Sequence, residues 1–189
     1  MDILEFFKTK RTYRKFKQEK IPGDVAEAII TAAQLYSCGA NKQGLKYVVV
    51  NKPEDVRVVN GLVNYAAYLP KEVGTPKEDE IPVMFIAVIQ DPTICVPSDT
   101  DAGLAIGNMQ CAAWFFGVGS CIMGSIERAK LKSFLKIPEN MVLHSMMAFG
   151  YPKYTSRPVP IVEDIKYYLD SAGNTCVPKR AVDDIVRFL

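Results

Sequence analysis

The sequence predicts one α+β domain spanning residues 1–189, on three observations. The run 82–89 carries no polar side chain, as a strand covered on both faces requires. Segments 22–36 and 54–68 repeat their apolar residues at helical spacing. Strand-like runs fall between helical ones throughout, which mixes the two kinds of element in a single unit. At 189 residues the chain is long enough to bury a proper core.

Taken in order, residues 2–8 can form a short helix ahead of a basic run, Lys10 to Phe16. Over 22–36, Val25, Ala28, Ile29, Ala32, Ala33 and Tyr36 share a face, and Pro22 suits a first-turn position. The run 45–50 (Tyr47, Val48, Val49, Val50) reads as a strand that ends in a turn at Asn51, Lys52 and Pro53. Segment 54–68 reads as helical through Val58, Leu62, Val63 and Ala66, and 70–80 as a charged surface loop. The strand 82–89 follows. Asp99 can cap the next helix, which is apolar nearly all round and is therefore predicted to be buried. Gly117, Val118, Gly119 and Ser120 form a turn into Cys121. A helix over 127–135 and a strand over 141–149 complete the core, after which the chain is Pro-rich and extended. In the tail, Val182, Ile185, Val186 and Leu189 suit a short amphipathic helix.

Net charge is +2, yet the first twenty residues hold seven Lys/Arg against Asp2, Glu5 and Glu19. So local an excess argues for one anionic site rather than a surface that tracks nucleic acid. Five cysteines, an odd number with no CxxC pair, together with the lack of a secretory n-region, predict reduced thiols and a cytoplasmic protein. The longest apolar runs are too short to span a bilayer, so no membrane role is expected.

Lys10, Arg11, Thr12 and Arg14 suit a small polyanion. Guanidinium forks grip phosphate oxygens bidentately and the Thr hydroxyl adds a donor. The same run also fits a solvated loop or a nucleic-acid arm, and later segments favour the phosphate clamp. The loop 37–44 contains Cys38 along with Asn41 and Gln43, and the side-chain amides of the latter two match a mixed donor–acceptor edge such as a pyrimidine. Taken alone it reads as a turn built on Gly39 and Gly44. The 117–120 turn lacks the full dinucleotide-binding spacing. His144, the only histidine, reads as a satisfied strand residue, which leaves neither a zinc site nor a Ser-His-Asp triad. Trp114 reads as core. Arg157 is a lone cation available as a second phosphate partner.

Together these segments resemble the FMN-dependent nitroreductase family, from about residue 6 to 158. Residues 11–16 fit its R-S-x-R-x-F-like opening, with Thr12 for Ser. Residues 37–45 align with its P-S-x-x-N-x-Q-P-W-like loop, 101–108 with D-x-G-x-A-x-x-N, and 117–121 with G-x-G-S-C. Gly150, Tyr151, Pro152 and the downstream Arg157 close the pattern. The chain departs from it where Ser37 replaces Pro, Cys38 replaces Ser, and Gly44 and Leu45 replace Pro-Trp.

The resemblance implies a three-layer fold, a central and mostly antiparallel sheet flanked by helices, and a homodimer with FMN at the interface. Lys10, Arg11, Thr12 and Arg157 would hold the phosphate and ribityl end, and Arg14 the pyrimidine. Cys38, Asn41 and Gln43 would come from the partner, and Gly124 and Ser125 would face the flavin edge near N5. The flavin would carry the chemistry, with no catalytic side chain and no metal. NADH or NADPH would be the reductant, and a nitroaromatic, quinone or similar small molecule the acceptor. The alternative is a flavin-binding or sensor protein with little turnover. Residues 65–80 are the expected lid, and 159–189 an extension that packs on the partner subunit.

Overall fold

The computed structural model describes residues 2–189. The short helix α1 (Ile3–Thr9) leads through the basic run to α2 (Gly23–Gln34). Strand β1 (Leu45–Val50) is followed by α3 (Pro53–Asn60) and a single turn, α4 (Lys71–Gly74). Then come β2 (Met84–Gln90), the long α5 (Asp99–Phe115), β3 (Gly119–Met123), α6 (Arg128–Phe134) and β4 (Val142–Gly150). The chain finishes with β5 (Ser156–Pro160), β6 (Tyr168–Leu169) and β7 (Thr175–Lys179).

The main sheet has the order β1-β2-β4-β3 and is antiparallel throughout. Every residue of the central strand β2 is buried, as its unbroken apolar run predicts. The period-2 alternation of a strand divides that run between two cores. Phe85, Ala87 and Ile89 face a cluster with Val56, Val59 and Leu131, from α3 and α6. Met84, Ile86 and Val88 face Ile29, Ala33, Ile106 and Met109, from α2 and α5. Helix pair, sheet, helix pair: this is the three-layer α+β arrangement expected, with the antiparallel sheet at its centre.

Three elements differ from expectation. The helix predicted over 54–68 stops at Asn60, where Gly61 caps it. Val63 then leaves helical geometry to bridge Ile126, and Ala66 adopts φ 44°. The apolar periodicity continues past Gly61, but those residues enter the core as irregular chain, with Val63 alone pairing in a bridge. Within 70–80 the loop holds the α4 turn and a 3-10 turn at Glu78–Glu80.

Helix α5 buries one face, not its whole circumference. Ala102, Ala105, Ile106, Met109 and Ala113 are buried, whereas Leu104 and Phe115 are exposed, Phe115 by 76%. The tail forms no amphipathic helix either. Strand β7 pairs in parallel with β5 and antiparallel with β6, and only a 3-10 turn at Val182–Asp184 follows.

Candidate functional site

Beyond Lys10, which caps α1, the basic run is no free arm. Thr12 bridges Ser120 in parallel, and the Tyr13 amide donates to the Ser120 carbonyl at 3.0 Å. Further along, Phe16 bridges Pro152, and its amide donates to the Glu80 carbonyl at 2.8 Å. The segment thus lies along the β3 edge of the sheet. Tyr13 and Phe16 are its anchors, at 3% and 0% exposure. Two glycines make room for them. A Cβ on Gly119 would stand 2.8 Å from the Tyr13 ring, and one on Gly150 2.8 Å from Phe16 Cβ. The other face of Tyr13 stacks on Trp114, with ring centroids 5.3 Å apart and planes 16° apart. The Trp114 indole N–H donates to Thr9 Oγ1 at 3.1 Å.

With the aromatics turned inward, the cations sit along the remaining surface of the run. Lys10 caps α1 and holds its Nζ 6.0 Å from the Phe7 ring. Arg11 has a buried Nε with no hydrogen-bond partner, and burial holds its guanidinium below the ordinary pKa. The Arg14 amide donates to Tyr154 Oη at 2.9 Å, and its guanidinium lies 4.7 Å from the Tyr167 ring. Arg14 is also beside Cys121, whose thiol burial pushes up and Arg14 draws back down.

Gly124 and Ser125 follow β3. The Ser125 carbonyl accepts from the Asn64 amide at 3.0 Å, and its hydroxyl accepts from Asn64 Nδ2 at 3.2 Å. A Cβ on Gly124 would meet nothing within 4 Å. Packing inside the chain therefore does not demand this glycine, and the space over its backbone is open.

Arg157, on β5, is paired with Asp170 at 3.3 Å. It reaches any ligand in competition with that carboxylate. The fourth group lies elsewhere. Around Cys38, Asn41 and Gln43 the loop is wound tightly, with Ala40, Asn41 and Gln43 at φ 50°, 52° and 54°. Cys38 Sγ accepts from the Gln43 amide at 3.3 Å, and the Gly39 amide donates to Asp101 Oδ1 at 3.3 Å. This loop rests on the first turn of α5, while the basic run rests on its last turns through Trp114. Those contacts, at Asp101 and Trp114, lie thirteen residues apart on α5, or roughly 20 Å.

One chain thus lays the basic run along β3, with Thr12 against Ser120 and Arg14 beside Cys121, while Gly124 and Ser125 follow the strand's far end. It does not bring Cys38, Asn41 or Gln43 to them. Tyr154 and Tyr167 escaped sequence reasoning, because neither stands in a motif. Tyr167 reaches Arg14 only through the fold of the tail, where its hydroxyl accepts from the Tyr68 amide at 3.3 Å. His144 is a half-buried β4 residue with Nδ1 3.0 Å from Ser145 Oγ and Nε2 3.6 Å from Asp99. Among the described residues no helix is long and apolar enough to cross a membrane.

Known proteins share the fold on which this site is built. The model of the nitroreductase family matches residues 7–82 and 79–151. A protein of Archaeoglobus fulgidus, provisionally named an NADH dehydrogenase/NAD(P)H nitroreductase, is 28% identical over 160 residues, covering 80% of this chain and 86% of its own. Among solved structures, an FMN-dependent nitroreductase of Clostridium difficile shares the fold at TM-score 0.69 and 19% identity, covering 98% of each chain. A provisionally named nitroreductase of Desulfovibrio desulfuricans, solved with FMN, shares it at TM-score 0.69 and 18% identity, over 87% of this chain and 97% of that one.

Proposed function

The chain belongs to the nitroreductase family, and from that premise we propose that it is a cytoplasmic FMN-dependent oxidoreductase acting as a homodimer. The observation that carries the reading is Arg11, a guanidinium whose Nε is buried and unpartnered at the head of a cationic run. A phosphate oxygen is the partner its geometry lacks, and a charge-assisted hydrogen bond there would restore the stabilisation that burial removes. When bound, FMN supplies hydride transfer from NADH or NADPH to a nitroaromatic, quinone or similar small acceptor.

Lys10, Arg11 and Thr12 hold the phosphate and ribityl end, with Arg157 as a further cation once it shares or leaves Asp170. Arg14 lies toward the pyrimidine. A fixed positive charge there favours the reduced, more negative flavin and so raises its potential without moving a proton. The open backbone at Gly124 and Ser125 lets the ring edge near N5 approach closely. No side-chain nucleophile takes part. Donor and acceptor use one slot in alternation, which gives ping-pong kinetics.

The roughly 20 Å between these two contacts on α5 supports the dimer. Two α5 helices laid antiparallel through their exposed faces would bring the Cys38–Gln43 loop of one chain to the basic run of the other. Of the tail, residues 156–179 fold on their own chain, so the part proposed to pack on the partner is the stretch beyond Lys179, where Phe188 and Leu189 are exposed.

Purified protein should be yellow, and anaerobic NADH or NADPH should bleach the flavin within seconds. Bound flavin that neither nucleotide bleaches would indicate a binding protein instead. A colourless protein that takes up no FMN would overturn the proposal.

A further inference from the structure

A groove of about 450 Å3 lies where β1 ends, α3 begins and the chain enters β2. Strands β2 and β4 stand between β1 and the β3 edge that seats the basic run, a distance of roughly 14 Å at the usual strand spacing. None of the residues proposed to hold FMN lines it. Its floor is apolar, with Val56 and Ile81 at 2% and 5% exposure and Pro82 buried beside them. Its rim is cationic, formed by the exposed side chains of Lys20, Lys52 and Arg57. None of the ten lining residues is acidic, and the first-turn acids of α3, Glu54 and Asp55, stand outside it. Arg57 is paired with Glu78 at 2.7 Å. Among the described residues Lys20 and Lys52 enter no ion pair. Three cations less Glu78 leave two positive charges without a counterpart.

Charge and size together define the ligand. Cations of one sign above a low-dielectric floor focus the field and concentrate anions. A carboxylate would balance one of the two charges, whereas a phosphomonoester carries about −1.5 to −2 at pH 7. The volume falls within the range of small-molecule pockets, about 300–1,000 Å3, which leaves room for a ring beside the phosphate. Asn51 and Gln18 supply side-chain amides for the polar edge of such a ring. Gln18 is held in place by its Nε2, which donates to the Ile81 carbonyl at 2.9 Å and leaves Oε1 to accept. We propose that the groove binds a nucleoside monophosphate, with the phosphate against Lys20 and Lys52 and the ring over the apolar floor. The site lies beyond the flavin reading and does not depend on it.

The probe is AMP, titrated calorimetrically into the full chain with FMN in excess throughout, so that the flavin phosphate clamp is filled. AMP should saturate one site per chain. Adenosine, which lacks the phosphate, should bind at least about tenfold more weakly, the loss expected for a charge-assisted hydrogen bond. Ribose 5-phosphate, which lacks the ring, should also bind more weakly. Affinity for AMP should fall as pH drops through about 6, where the phosphate dianion takes up a proton. Lys20→Gln combined with Lys52→Gln should weaken AMP at least about tenfold and leave flavin absorbance as it was. Both side chains are exposed, so neither change burdens the core. Arg11→Met should leave AMP affinity unchanged. Absence of AMP binding, equal affinity for adenosine or ribose 5-phosphate, or a loss in Arg11→Met that the lysine double variant does not show would overturn the site. A protein that binds AMP in this pattern and takes up no FMN would keep the groove and remove only the flavin reading.

Discussion

Arg11, half-buried with its Nε covered, and Asp91, buried, are two charges in opposite situations. Arg11 has a nitrogen with no partner, so in the cofactor-free protein its burial is a cost without a return. Arg11→Met should therefore leave the apo protein as stable or more so, while weakening FMN by about 1.5–3 kcal/mol. Chemical unfolding and flavin-fluorescence titration read the two effects separately. Arg157→Ala should weaken FMN less, because Asp170 already engages that guanidinium at 3.3 Å. Asp91 is fully satisfied. Lys46 Nζ lies 2.6 Å away, Thr93 Oγ1 and its amide add two hydrogen bonds, and these hold the carboxyl down to about 2. A depressed carboxylate pKa stabilises the fold above its unfolded value of about 4 and loses that contribution as pH falls through the folded one. Asp91→Asn should lower Tm at pH 7, with the gap to wild type closing between about pH 4 and about pH 2. A constant gap by calorimetry would show that the ion pair is not its source.

At the scale of elements, the seating of the basic run decides the site. Gly150→Ala would drive a Cβ into Phe16, which is 0% exposed and cannot retreat. Overpacking of this kind costs about 1–3 kcal/mol. Urea unfolding should show that loss together with poorer FMN retention, since Arg14 moves with Phe16. Unimpaired flavin binding in a destabilised variant would detach the cations from their anchor. The same elements show what a sequence can disclose. The strand β2 was legible because burial on both faces leaves no polar residue in it before Gln90. The basic run was legible by composition, but its path along β3 was not, since the bridge from Thr12 to Ser120 joins residues far apart in the chain. The end of α3 was misread because Val63 keeps helical spacing while pairing as extended chain. The partnership of Arg14 with Tyr167 depends on a parallel pairing of β5 and β7, which no local pattern announces.

For the molecule as a whole, the outward face of α5 is the decisive surface. Leu104 is exposed in the single chain, so Leu104→Glu should leave the monomer fold intact. If two α5 helices meet there, the charge should dissociate the dimer and release FMN with it, because each site would lose the partner's Cys38–Gln43 loop. Sedimentation and flavin absorbance on one sample test both. A monomer that keeps its flavin would place the whole site within one chain. The chain also has a single tryptophan, Trp114, clamped between the Tyr13 ring and the Thr9 hydroxyl where α1, α5 and the basic run converge. All indole emission therefore originates at this one junction, and a yellow ligand nearby would absorb it. The protein carries its own optical gauge, able to follow cofactor arrival and α1 docking in real time without any attached dye.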